Sequence, residues 1–287
     1  MPRRSWLFVP ANREGRVAKA FATNADVVIM DLEDACPEAE KEAAREIVAH
    51  AASEHGGARC FVRMNAARTR FALGDLESVV VPGLAGIVIP KAERVSDLQA
   101  IDWALEQLEQ RRGLAAGAIE IVPLVETALG VCELSSIARC GLPRIRQLTF
   151  GAGDLTTDLG IRWTRDEGEL ATVRASIVTA SRAGGLEPPI DTVWPGIADT
   201  QGLTLSLNRT REAGFAGKLI IHPSQIDPTN STLAPTPEEV AFAHRVLEAA
   251  VASEAAGQGA FQLDGRLMDN VSVVRARRTI ASHGEEK

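Results

Sequence analysis

The chain has no excess of basic residues: 31 Lys and Arg stand against 38 Asp and Glu, a net charge of -7. That balance argues against nucleic acid or an anionic membrane surface as a partner. Cysteine is scarce, and Cys36, Cys60, Cys132 and Cys140 show no CxxC spacing. This disfavours a disulfide framework or a zinc site and suits a reducing compartment. No run approaches the ~18 apolar residues of a membrane span. The apolar stretch after the basic start Met1-Pro2-Arg3-Arg4 is too short for a secretory signal, so a cytoplasmic protein is expected. A doubly wound dinucleotide fold would usually carry GxGxxG after its first strand. Pro10-Ala11-Asn12 stands there instead, and Gly151-Ala152-Gly153 lacks a third glycine. No internal repeat is visible beyond an alternation of strand-like and helix-like segments.

What is present is ordinary globular composition, 45% hydrophobic and 24% charged, which argues against disorder. At 287 residues the chain can bury a large core. Eight short apolar runs recur along it: Ser5 to Pro10, Asp26 to Met30, Arg59 to Val62, Ala85 to Ile89, Ile119 to Val125, Gln147 to Phe150, Pro189 to Trp194 and Lys218 to Ile221. Several are too uniformly apolar to have a wet face, as in a parallel sheet covered by helices. Pro123 is awkward inside a strand and suggests a bulge or strand end. Helical spacing fills the gaps, including Arg13 to Thr23, Glu38 to His50, Ala128 to Arg139, Asp166 to Gly184 and Thr200 to Ala213. Leu98, Ile101, Leu105 and Leu108 form a helical stripe, and Gly214 reads as a C-cap. Eight strand–helix units fit a (β/α)8 TIM barrel over 1–234. A C-terminal extension, 235–287, follows. It comprises a helix from Pro235 to about Ala255, a break at Gly257 and Gly259, a hairpin-like lid from Phe261 to Asp269, and a helix with Arg275, Arg277 and Arg278. Gly284-Glu285-Glu286-Lys287 reads as a frayed end.

In a βα barrel the carboxyl ends of all strands share one face, where active sites sit. Asp31, Glu33, Asp34, Arg63, Lys91, Glu126, Asp154, Asp191 and His222 fall there. Each has a bland reading. Asp154 could cap the turn after Gly151 and Gly153, Arg63 could simply pair with Glu33 or Asp34, and His222 could pack or cap. Convergence on one mouth is the stronger argument, because several carboxylates there need a cation. Mg2+, or Mn2+, takes one or two carboxylates and keeps waters and substrate oxygens. Glu126 and Asp154 end successive strands and form the best pair, with Glu33 and Asp34 behind them. Arg63 suits a substrate carboxylate. Lys91 as a Schiff-base lysine would need a depressed pKa, which so many carboxylates oppose.

Ser5 to Pro10, Asp31-Leu32-Glu33-Asp34-Ala35, Val62 to Asn65, Ile89-Pro90-Lys91, Val125-Glu126-Thr127, Phe150 to Asp154 and Ile221 to Gln225 resemble the citrate lyase β-subunit-like family. This is the CoA-ester lyase branch of the HpcH/HpaI aldolase superfamily, and the resemblance spans nearly the whole chain. It implies a Mg2+-dependent lyase that splits a 3-hydroxyacyl-CoA thioester of malyl, citramalyl or citryl type. It makes Glu126 and Asp154 the metal ligands. Arg63 and the turn at Gly153 become the oxo-acid site, and Glu33 and Asp34 neighbours of the metal's waters. Asn12, Arg13 and Arg16 are placed near CoA phosphates. Asp264 to Asp269 is similar to a lid motif whose aspartate, here Asp269, acts in an adjacent subunit, implying a trimer or hexamer. Ala11 stands where glycine is usual, and Asn270-Val271-Ser272-Val273 where a proline soon follows. Free 4-hydroxy-2-oxo acids, or an acyl-carrier-protein thioester taken by a citrate lyase β-like subunit, are the alternatives.

Overall fold

A computed structural model describes residues 3–255 and 257–283, so Met1, Pro2 and the segment read as frayed, 284–287, lie outside the described residues. The strands are β1 (Ser5–Pro10), β2 (Val27–Asp31), β3 (Cys60–Arg63), β4 (Gly86–Ile89), β5 (Glu120–Val125), β6 (Thr149–Phe150), β7 (Ile190–Asp191) and β8 (Gly217–Ile220). They close in sequential order into a barrel, and every pairing is parallel, with β1 returning to β8. The helices between them are α1 (Glu14–Phe21), α2 (Lys41–His55), α3 (Ala72–Val79), α4 (Val95–Arg112), α5 (Ala128–Cys132), α6 (Leu134–Ala138), α7 (Ala152–Asp158), α8 (Ala171–Ala183) and α9 (Thr200–Ala213). After β8 come α10 (Ile226–Leu233), α11 (Pro237–Ala255), a hairpin of β9 (Phe261–Leu263) and β10 (Arg266–Met268), and α12 (Asn270–His283). The chain forms two compact units that divide between Asn230 and Ser231.

Strand alternation sorts the barrel's side chains into two layers. Trp6, Val27, Ile29, Phe61, Val88, Val122, Leu124, Ile190 and Leu219 form one buried cluster inside the barrel. Their neighbours in sequence, such as Leu7, Val28, Val62, Ile87 and Ile220, join a second cluster with the helices. Trp6 and Phe61 meet edge to face at 5.0 Å. Arg3 lies over the Trp6 ring at 5.0 Å and bonds Glu120 at 2.8 and 2.9 Å. Burying each such apolar side chain is worth about 1.5–3 kcal/mol, so the interior sets the register.

Several boundaries differ from the sequence expectation. Asp166 to Gly184 is a short 3-10 turn at Gly168–Leu170 and then α8. Ala128 to Arg139 is broken at Glu133 into α5 and α6. β7 holds two residues rather than six. Pro123 neither bulges nor ends β5. Ile121 turns its N–H toward Arg144 O, so the N–H that Pro123 lacks would point the same way. On that side β6 pairs with β5 at Leu124 and Val125 and leaves Pro123 unopposed.

The C-terminal unit has its own small core. Ala243 and Val246 of α11 pack on Ala276 of α12, with Phe242, Leu247, Phe261, Leu263 and Ile280 around them. The hairpin turns at Asp264-Gly265, both in the left-handed region at φ 52° and 74°, which an Asp-Gly pair adopts readily.

Candidate active site

Alternation decides which strand-end residues face the mouth. Asp31, Arg63 and Glu126 lie two residues beyond Ile29, Phe61 and Leu124 of the interior cluster. All three line a cavity of about 510 Å³ with Phe8, Leu124 and Asp154. Asp191 follows Ile190 by one residue and points the other way, so it does not join the mouth. Fully buried, it bonds Arg174 Nε at 3.0 Å, Lys218 Nζ at 2.9 Å and Thr210 Oγ1 at 2.5 Å. Burial pushes its carboxyl up, but Lys218 and Arg174 outweigh that and hold it below the usual range. His222 is also outside the site: it is exposed and caps the turn at Pro223–Gln225, with Nδ1 2.8 Å from Ser224 Oγ.

Glu126 is only 2% exposed. Burial, then the nearby Glu33 charge, push its carboxyl up to about 8 against the pull of Arg63. Its Oε1 accepts the main-chain N–H of Lys91 at 2.9 Å. Oε2 lies where a Cβ on Gly151 would come within 2.4 Å, so Gly151 is glycine because this carboxylate needs the space. It is not a left-handed turn residue; its φ is -106°. Gly153 meets nothing closer than Trp163 at 3.9 Å and lines the cavity. Asp154 sits in the first turn of α7, 3.2 Å from Lys91 Nζ.

Arg63 directs Nε and Nη2 at Asp31, 2.7 and 2.6 Å, and Nη1 toward Glu33 at 3.0 Å and Asp34 at 3.4 Å. Burial works against its charge, yet Asp31 and Glu33 more than compensate and raise its pKa. Asp31 as the fork's main partner was not foreseen; its two-residue spacing from Ile29 was the available signal. Glu33 is buried, and burial raises its carboxyl despite Arg63 and Lys91. Lys91 Nζ lies 2.5 Å from Glu33 Oε1, and although burial disfavours its charge, that contact keeps it firmly protonated. This removes the Schiff-base reading. Lys91 has φ 49°, an uncommon left-handed backbone for a long side chain; its amide serves Glu126 while its ammonium lies against Glu33 and Asp154.

Arg16 lines the cavity. Asn12 and Arg13 converge instead on Glu40, at 2.6 and 3.8 Å, and are not part of the lining. Asp269 belongs to the other unit, where its Oδ1 accepts the N–H groups of Val271 and Ser272 and caps α12.

The cavity lining sets the carboxyl groups of Asp31, Asp34, Glu126 and Asp154 against the guanidiniums of Arg16 and Arg63; with Glu126 ionised, two negative charges are left over, which one divalent cation would cancel. Among the described residues no cluster of three or more metal-ligating side chains exists. Two carboxylates with open space beside them fit a hard ion that keeps waters and takes substrate oxygens, as Mg2+ does.

A closed parallel barrel with a carboxylate-lined mouth around Arg63, and Arg16 in the same lining, defines a barrel enzyme. The chain belongs to the HpcH/HpaI aldolase/citrate lyase family, whose model matches residues 4–223, and it is a lyase. It is 33% identical over 277 residues to citrate lyase subunit beta of Haemophilus influenzae, covering 96% of this chain and 94% of the relative. It is 32% identical over 282 residues to (3S)-malyl-CoA thioesterase of Cereibacter sphaeroides, covering 98% and 94%. Among solved structures, the protein CitE from Mycobacterium tuberculosis in complex with magnesium, acetoacetate and coenzyme A is 32% identical, with a TM-score of 0.79 over 99% of each chain. No helix of the described residues is long and apolar enough to cross a membrane.

Proposed function

We propose that this lyase cleaves the carbon–carbon bond of a 3-hydroxyacyl-CoA thioester of malyl, citramalyl or citryl type, releasing acetyl-CoA and a 2-oxo acid. The observation that carries the reading is the meeting of Glu126, Asp154 and Arg63 on one cavity. The cavity, about 510 Å³, is larger than a small oxo acid needs and leaves room for a thioester arm. The solved relative with magnesium and coenzyme A supports the same assignment.

Glu126 and Asp154 would hold Mg2+ or Mn2+, which supplies Lewis-acid polarisation of the substrate's hydroxyl and carboxylate oxygens. Arg63 presents its charge to the oxo-acid carboxylate. Asp31 holds the Nε–Nη2 edge and Glu33 and Asp34 stand against Nη1, so a substrate carboxylate would displace Glu33 or Asp34 from Nη1 to reach the fork. The turn at Gly153 leaves a backbone surface open to the same carboxylate. Arg16, at the cavity edge, suits the phosphates of CoA. Asp269, proposed to come from a neighbouring subunit, takes the proton of the 3-hydroxyl group as the bond between the second and third acyl carbons breaks. The bonding electrons pass to the thioester, whose α-carbon is then protonated. Leu267 and Val271, 80% and 57% exposed beside Asp269, are apolar surface that docking on another copy would cover.

The test is turnover of malyl-, citramalyl- and citryl-CoA with Mg2+, and again with a chelator. Metal-dependent release of acetyl-CoA from one of the three is expected. Cleavage of free 4-hydroxy-2-oxo acids alone, or of acyl-carrier-protein thioesters alone, would replace this reading.

A further inference from the structure

Lys41 is the first residue of α2 and only 8% exposed. A helix N-terminus disfavours a cation, and a buried ammonium is costly unless each N–H finds an acceptor. All three do. Nζ donates to Leu32 O at 2.6 Å, Glu33 O at 2.7 Å and Asn65 Oδ1 at 2.6 Å, and lies 5.7 Å from the face of Phe71. None of these acceptors is a carboxylate, so this is a three-way clamp on neutral oxygens rather than an ion pair.

The clamp joins two loops. Leu32 and Glu33 follow β2, and Asn65 stands two residues beyond Arg63 at the end of β3. Asn65 is itself fixed, because its N and Nδ2 donate to buried Asp75 Oδ2 at 2.8 and 2.7 Å. Arg45 Nε holds the other Asp75 oxygen at 2.8 Å. Glu33 has both main-chain groups tied, its N–H to Asp31 Oδ1 at 3.0 Å and its carbonyl to Lys41. Only its side-chain torsions remain, and Lys91 and Arg63 take up the carboxylate.

We infer that Lys41 is a positioning residue, setting the acidic loop after β2 against the Arg63 segment so that Glu33 and the arginine fork keep their geometry. The consequence for activity rests on the function proposed above; the clamp itself does not. Catalytic geometry is sensitive to this kind of support, since a ~1 Å misplacement costs about 100-fold.

The experiment compares wild type with Lys41→Met, Lys41→Arg and Asn65→Ser. It reads amide hydrogen exchange, affinity for pyruvate and glyoxylate with Mg2+ present, and thioester turnover. Lys41→Met should speed exchange at Glu33 and Ala35 while the β2 and β3 amides stay protected, and weaken oxo-acid binding at least ~10-fold. Lys41→Arg should not rescue it, because a planar fork cannot aim three donors from one atom. Asn65→Ser loses one acceptor of three, should show a smaller change in the same direction, and decides the matter if Lys41→Met does not fold. Unchanged exchange at Glu33 and Ala35, with affinity within ~2-fold, would overturn the inference. So would exchange that rises evenly across β2 and β3, which assigns Lys41 to stability alone. If wild type neither binds the oxo acids nor cleaves a thioester, the functional reading fails while the exchange arm still decides the clamp.

Discussion

Glu126 carries two consequences at the scale of a single side chain. Its carboxyl is lifted to about 8, mainly by burial, so the fold favours its neutral form. That contribution to stability is complete below the ordinary glutamate value of about 4.3 and is lost as pH rises through 8. With chelator present, Glu126→Gln should therefore flatten the fall in melting temperature between about pH 5 and 8 seen in wild type. A cation competes with that proton, so Mg2+ affinity measured by calorimetry should climb from pH 6 to 8 and then level off; a flat profile would remove Glu126 from the ligand set. Glu126→Gln and Asp154→Asn should each abolish metal-dependent turnover with the fold intact. Asp191 behaves oppositely. Its depressed pKa gives stability that is present above the ordinary aspartate value of about 3.9 and is lost as pH falls through the lower folded value. Asp191→Asn leaves Lys218 and Arg174 short of charge in a sealed layer and should cost about 3–5 kcal/mol, read from urea unfolding at pH 7.

At the scale of elements, the strand-to-loop junctions carry the site, and the sequence shows them unevenly. The eight apolar runs and their order were legible because uniformly apolar segments between helical stripes have few other homes. The two-residue alternation was legible too and would have separated Asp31 from Asp191, since each sits one or two positions beyond an interior residue. What the sequence could not show was contact across strands. Asp31 under the Arg63 fork, Lys41 between two loops, and the left-handed Lys91 all depend on side chains far apart in the chain. The glycine-rich turn illustrates the gap. Gly151 and Gly153 look alike in sequence, but only Gly151 is pressed by Glu126 Oε2, 2.4 Å from where a Cβ would stand. Gly151→Ala should displace that carboxylate and lower turnover at least ~10-fold, with little change in melting temperature. Gly153→Ala meets only Trp163 at 3.9 Å and should be tolerated better in the metal-binding titration. If the two variants bind Mg2+ equally well, close packing on Glu126 does not position the ligand.

At the scale of the whole molecule, the barrel holds every group proposed to bind metal and oxo acid, while the proposed base lies on the second unit. Asp269 is exposed and its Oδ1 is occupied in capping α12, which leaves Oδ2 as the atom able to take a proton. A lid that closes over a reactive enolate keeps water out while the enolate exists, and an assembly in which one copy's lid closes another's mouth would place Asp269 there. On this reading the enzyme is a trimer or a pair of trimers, and each site needs two chains. Asp269→Asn subunits and Glu126→Gln subunits are each expected to be inactive. Co-refolding them should restore part of the activity, because some mouths then receive an intact Glu126 from one chain and an intact Asp269 from another. Light scattering on the same samples establishes that mixed oligomers form. Mixed oligomers as inactive as either parent would mean that the lid does not cross between chains. Full thioester cleavage by Asp269→Asn alone would mean that the proton goes elsewhere, and that the carboxylate serves only to cap its helix.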